Sequence, residues 1–195
     1  VCSRADLLSE ASNVFARSLD IDATLAGLLD FAVPRFAPIA IVTLFGDQSE
    51  GACSRAAWQP QQPQQQSQQP QQIRLEGVDN VWPRAMLDAI ARVDLDKDML
   101  FLPEIDWSIR VSDESGADAE LPIRCAKVLT LFTRGRAIGA IVLGGSNTDA
   151  MPPDFDNDDA LLREIASRAA IALENALLYR AIRAGDQRKN EFLAM

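Results

Sequence analysis

The stretch Leu121–Tyr179 reads LPIRCAKVLTLFTRGRAIGAIVLGGSNTDAMPPDFDNDDALLREIASRAAIALENALLY. Its first half holds two runs rich in β-branched and other apolar residues, Ala126 to Thr133 and Ala137 to Gly144. Between them lie Arg134, Gly135 and Arg136, so the pair predicts a hairpin closed by a tight turn. The second half opens on the acidic segment Pro153 to Asp159, suited to the positive end of a helix dipole. One long helix runs from there towards the C-terminus. At about 100° per residue, Leu161, Leu162, Ile165, Ala166, Ala169, Ala172, Leu173, Ala176 and Leu177 fall within half its circumference. A stripe that wide covers a sheet and a neighbouring helix. Ile171, Leu178 and Ile182 fall outside it, spaced by seven and then four residues as in a coiled-coil seam. This second face predicts contact with a partner chain; its other reading is contact with a helix of the same domain.

Towards the N-terminus, Ser3 to Ser18 carries Leu7, Leu8, Ala11, Val14 and Phe15 at helical spacing. A second helix is expected after Asp22 as N-cap, through Leu25, Leu28, Leu29 and Ala32, with Pro34 ending it. Ile39 to Phe45 (IAIVTLF) reads as a strand and Ala52 to Trp58 as a weaker one. Gln59 to Gln72 is Gln and Pro apart from one Ser. Such a segment cannot offset the entropy of ordering it and predicts a disordered insertion in a hairpin connection. A longer loop there adds little closure entropy. Ile73 to Gly77 alternates and resumes the sheet. Pro83 opens a helix with Met86, Leu87 and Ile90, Met99 to Leu102 is a short strand, and Pro103 to Glu120 reads as irregular or short-helical.

Composition narrows function. The 195 residues are 48% apolar with net charge -9, enough for one domain with a core. That charge predicts no nucleic-acid surface and no contact with an anionic membrane. No apolar run approaches the roughly 20 residues a membrane span needs. There is no histidine, which removes His-ligated metals, Ser-His and Cys-His nucleophiles and a His base from this chain. Cys2, Cys53 and Cys125 are odd in number and far apart, matching neither a disulfide framework nor a zinc spacing. Reduced thiols in the cytoplasm are expected. Asp94 to Asp98 lacks the glycine and glutamate of a calcium loop, so no metal site is assigned. No catalytic residue is assigned either, and no cofactor is identified. Arg110 and Arg124 are candidates for an anionic ligand, with solvated surface charge as the alternative.

The quoted stretch resembles the C-terminal half of a GAF domain: a strand, a basic-glycine turn, an "IGAIVLG" strand, an acidic-aromatic helix start, then "AAIALENALLY". Leu19 to Phe45 resembles the second helix and first strand of that family, so the similarity spans 19–179, after an N-terminal helix at 1–18. Arg188 to Met195 (RKNEFLAM) resembles the opening of a histidine-kinase dimerisation helix, which would occupy 180–195. The resemblance implies an α/β (α+β) fold, a six-stranded antiparallel sheet flanked by helices, with a long C-terminal signalling helix. It implies a small-molecule pocket covered by roughly 81–120, where Trp82, Met99, Phe101 and Trp107 lie. Flat aromatic faces suit heterocyclic ligands; core packing is their other role. It further implies a homodimeric sensor controlling a downstream histidine autokinase, which alone would use ATP and magnesium and address a response regulator. The alternatives are a ligand-free dimerisation and signal-transmission module and, more remotely, a methionine-R-sulfoxide reductase with Cys53 and Cys125 as paired thiols. The cyclic-nucleotide signature of the family is absent, since Asp154, Phe155 and Asp156 lack its Asn-Lys partner. Cys53 and Cys125 also lack the neighbouring histidine common at bilin attachment sites.

Overall fold

Ile39–Leu44 (β1), buried along its whole length, pairs antiparallel with Cys53–Trp58 (β2) on one side. Its other neighbour is Arg136–Gly145, the last strand of the chain. In the computed structural model, which describes residues 3–45, 53–59, 70–75, 99–112, 118–146 and 158–193, the remaining strands are Gln71–Leu75 (β3), Met99–Leu102 (β4), Trp107–Ser112 (β5), Asp118–Ile123 (β6) and Cys125–Thr133 (β7). With Arg136–Gly145 as β8, six of them form one antiparallel sheet in the order β3-β2-β1-β8-β7-β4, while β5 and β6 make a separate hairpin. The architecture is the expected α+β one. Central strands buried on both faces explain why β1 and β8 read as continuous apolar runs.

Three helices complete the described fold: Arg4–Phe15 (α1), Ile21–Ala32 (α2) and Asp159–Leu193 (α3). Helices α2 and α3 pack on one face of the sheet, α3 along β7, and α1 packs against both of them. Leu25, Leu28 and Leu29 of α2 and Leu161, Ile165, Ala169 and Leu173 of α3 meet Ala40, Val42, Leu129, Leu131, Ile141 and Leu143 of the sheet. The hairpin β5–β6 covers the opposite face. Trp107, Ile109, Val111 and Ile123 pack there on Ile39, Ile41, Ala126, Val128, Ala140 and Val142.

Three local expectations are corrected. The segment read as irregular or short-helical, Pro103 to Glu120, contains β5 and the start of β6. The alternation of Trp107, Ile109 and Val111 with Ser108 and Arg110 buries one side of β5. Helix α2 is capped by Asp20, whose side chain accepts from Ala23 N at 2.9 Å, and not by Asp22. Gln71 and Gln72, assigned to the disordered insertion, lie in β3. Gln72 Nε2 donates to Ala26 O (3.0 Å) and Asp30 Oδ1 (2.6 Å), which ties the strand to α2. Positions 60–69, the helix expected after Pro83, and the acidic helix start before Asp158 lie outside the described residues.

Candidate functional site

Of the four candidate pocket residues, the three that are described are divided by the sheet. Trp107, 7% exposed, sits on β5 within the cluster that covers the far face. Met99 is on β4 and packs into the helix-side core. Phe101, on the same side of β4, is largely exposed and lies 5.7 Å from Lys127 Nζ. Strand geometry is the reason: Met99 and Phe101 are two residues apart and share a face, whereas Leu100 and Leu102 face the hairpin. Trp82 lies outside the described residues. The sheet's far face is therefore lined by Trp107 with Ile109, Val111, Leu100 and Leu102, and Met99 and Phe101 do not join it. Period-two alternation in 107–112 was the signal that could have found Ile109 and Val111.

Strand β7 connects the two faces. Ala126 and Val128 point to the hairpin side, and Lys127, Leu129 and Leu131 to the helices. Lys127 is only 2% exposed, and its ammonium donates to Asp159 Oδ1, at the first residue of α3, across 2.7 Å. At the other end of β7, Thr133 Oγ1 donates to the buried Glu174 at 3.0 Å, and Arg134 pairs with the same carboxylate at 3.1 Å. Lys127 to Thr133 spans roughly 20 Å of strand, and Asp159 to Glu174 roughly 22 Å of helix. The two elements are thus clamped at matching heights. Arg134 (φ 47) and Gly135 (φ 79) form the two-residue turn that delivers the second clamp. Positive φ at both positions is what a type I′ hairpin requires.

Beyond that clamp α3 leaves the body. Ala176 is its last buried residue, and the described side chains from Leu178 to Asn190 are exposed apart from half-buried Ala184. Ile171, Leu178 and Ile182 are 53%, 42% and 62% exposed. The described residues thus leave this face uncovered, with Ile171 bordering a groove beside α1. The core stripe is where the sequence placed it, with Ala170 added.

Among the described residues no group of three or more acidic, Cys or His side chains converges on a metal position. Arg110 and Arg124 are both exposed; Arg124 pairs with Asp106. The two described thiols are far apart. Cys53 shares a row with Leu44, Gly139 and Leu131, and Cys125 lies six residues from Leu131 along β7. That is roughly 20 Å along the strands, plus three strand spacings.

The free methionine-R-sulfoxide reductase of Neisseria meningitidis, solved with its substrate, superposes with a TM-score of 0.53 at 16% identity, over 90% of this chain and 91% of that one. The phycoerythrobilin-bound GAF domain of a cyanobacterial phytochrome gives 0.52 at 11%, over 92% and 99%. The fold is that of a GAF domain. The GAF domain of an Acinetobacter phosphoenolpyruvate-protein phosphotransferase gives 0.50 at 9%, over 90% and 95%. No protein-family model and no curated protein matches the sequence. No described helix is long and apolar enough to cross a membrane.

Proposed function

We propose that this chain is the sensory GAF domain of a two-component sensor histidine kinase, acting as a homodimer in the cytoplasm. The observation that carries the reading is α3: one helix, about 52 Å long at 1.5 Å per residue, clamped to β7 and continuing about 25 Å past its last buried residue. A rod fixed to the sheet and free beyond it converts a small shift of the domain into a shift at its far end. Ile171, Leu178 and Ile182 would meet a second copy, and the rod would lead to a histidine autokinase that uses ATP and addresses a response regulator. A small molecule bound on the sheet's far face would act through β7, and only by differential affinity for two states. That the phytochrome GAF domain is bilin-bound supports a heterocyclic ligand for a domain of this fold.

A second reading is favoured by the packing of Trp107, Ile109, Val111 and Ile123 on that face. Side chains then fill the place of a ligand, and the domain is a ligand-free dimerisation and transmission module. Thermal-shift titration with tetrapyrroles and nucleotides separates the two, since stabilisation by a ligand requires binding to the folded state. Dimerisation is common to both readings. Leu178→Asp with Ile182→Asp places two charges in the seam and is expected to give a monomer by sedimentation. An unchanged assembly state removes the seam. A reading frame that continues past Met195 without a phospho-acceptor histidine and a kinase core removes the phosphorelay.

A further inference from the structure

Between Ile171 and Ile182 the exposed stripe of α3 holds one polar residue, Asn175, among its apolar ones. With Ile171 at zero and about 100° per residue, Asn175 lies near +40°, Leu178 near −20° and Ile182 near +20°. Gly185 and Lys189 continue the stripe. The spacing four-three-four-three-four makes Ile171, Leu178 and Gly185 the d positions of a heptad, and Asn175, Ile182 and Lys189 the a positions. Asn175 is exposed, and its carboxamide has no hydrogen-bond partner among the described residues. With Ile171, Phe15 and Leu19 it lines a groove of about 330 Å³ between α3 and the α1–α2 connection.

A face of this kind selects its partner through the amide. Enclosed between Ile171 and Leu178 in a seam, the Asn175 carboxamide loses water and must find a donor and an acceptor at its own height. An amide complements itself, because its oxygen accepts what its nitrogen donates. A second Asn175 faces the first only when the two helices run parallel and in register. A shift of one heptad sets Asn175 against Ile182, and an antiparallel arrangement sets an a position against d positions. We propose that Asn175 fixes the orientation and register of the pairing, the partner being a second copy of this chain with the two-fold axis passing between the two Asn175 side chains. This rests on the homodimer reading above and adds what specifies it. The consequence for signalling is that both rods leave the dimer side by side at equal height.

The test is Asn175→Leu in the whole chain, followed by sedimentation, together with oxidative crosslinking of Ile182→Cys and Gln187→Cys. Removing an a-position amide tightens association at the expense of specificity, so Asn175→Leu is expected to lower the dimer Kd by roughly tenfold or more. Ile182→Cys is expected to form an interchain disulfide well above the parent's background, and Gln187→Cys, on the opposite side of the helix, is not. An unchanged or weakened dimer in Asn175→Leu, or equal crosslinking at the two positions, overturns the register assignment while leaving the dimer standing. A parent chain that stays monomeric at all concentrations removes the dimer and this inference together.

Discussion

Lys127 shows how one residue's surroundings set the sign of a substitution. Its ammonium is enclosed between β7 and α3, near the Phe101 ring, with Asp159 as an ionic partner, while Asp159 itself is 40% exposed. The two halves of the pair therefore do not respond alike. Asp159→Asn removes an ionic partner from a cation held in the core, and about 1 kcal/mol of stability or more should be lost. Lys127→Met replaces the stem by an apolar chain of similar length and leaves the half-exposed Asp159 to water, so it should cost less than Asp159→Asn. Urea unfolding of the two variants checks the asymmetry, and equal losses would contradict it. Gly139 is constrained in another way: a Cβ there would stand 2.4 Å from the carbonyl oxygen of Thr43. Close approach of β1 and β8, with no turn involved, explains a glycine in the middle of an apolar strand.

Among the elements, α1 is held at its start by a reciprocal cap. Ser3 Oγ accepts from Asp6 N at 3.2 Å, and Asp6 Oδ2 accepts from Ser3 N at 3.0 Å. Hydrogen bonds from the Ser3 side chain and then its backbone hold the Asp6 carboxyl below the ordinary carboxylate range. A lowered folded value means that the cap's contribution is complete above that range and fades as pH falls through it. Ser3→Ala should cost about 1 kcal/mol at neutral pH, and its difference from the parent should shrink in acid. Amide exchange along α1 between about pH 5 and pH 2 reads this out. Elements whose periodicity extends over many residues were legible before any coordinates: the α3 stripe, the β7–β8 hairpin and β1. Short elements set by a single choice were not. Asp20 and Asp22 are both competent caps, and sequence alone does not say which carbonyl starts the helix. Strand β5 carries a clean alternation, but its acidic, Ser- and Gly-rich surroundings outweighed six residues of pattern. Met99 and Phe101 were grouped with Trp107 by proximity in the chain, and the pleat of β4 turns them to the other side of the sheet.

At the scale of the whole molecule the sheet is a partition, and the partition decides what chemistry the chain can bring together. Among the described residues helices occupy one side and the β5–β6 hairpin the other, and the strands, β7 above all, present residues to both. The sheet also holds the two described thiols apart, although both lie on its helix side. The superposition on a methionine-R-sulfoxide reductase makes thiol chemistry worth testing, since reduction of a sulfoxide by a pair of thiols ends in a disulfide between them. A disulfide needs Cα atoms within about 7 Å. Cys53 and Cys125 lie in rows roughly 20 Å apart along the strands, across three strand spacings of a hydrogen-bonded sheet. Joining them would require the sheet to come apart. Cys125 is buried, with Sγ 3.8 Å from the carbonyl oxygen of Gly145. Mild oxidation of the folded chain should therefore leave Cys53 and Cys125 unlinked, and thiol-dependent turnover of free methionine-R-sulfoxide should stay at the no-protein rate. Peptide mapping that finds a Cys53–Cys125 link, or turnover abolished by Cys125→Ser, would contradict both the strand register and the regulatory reading.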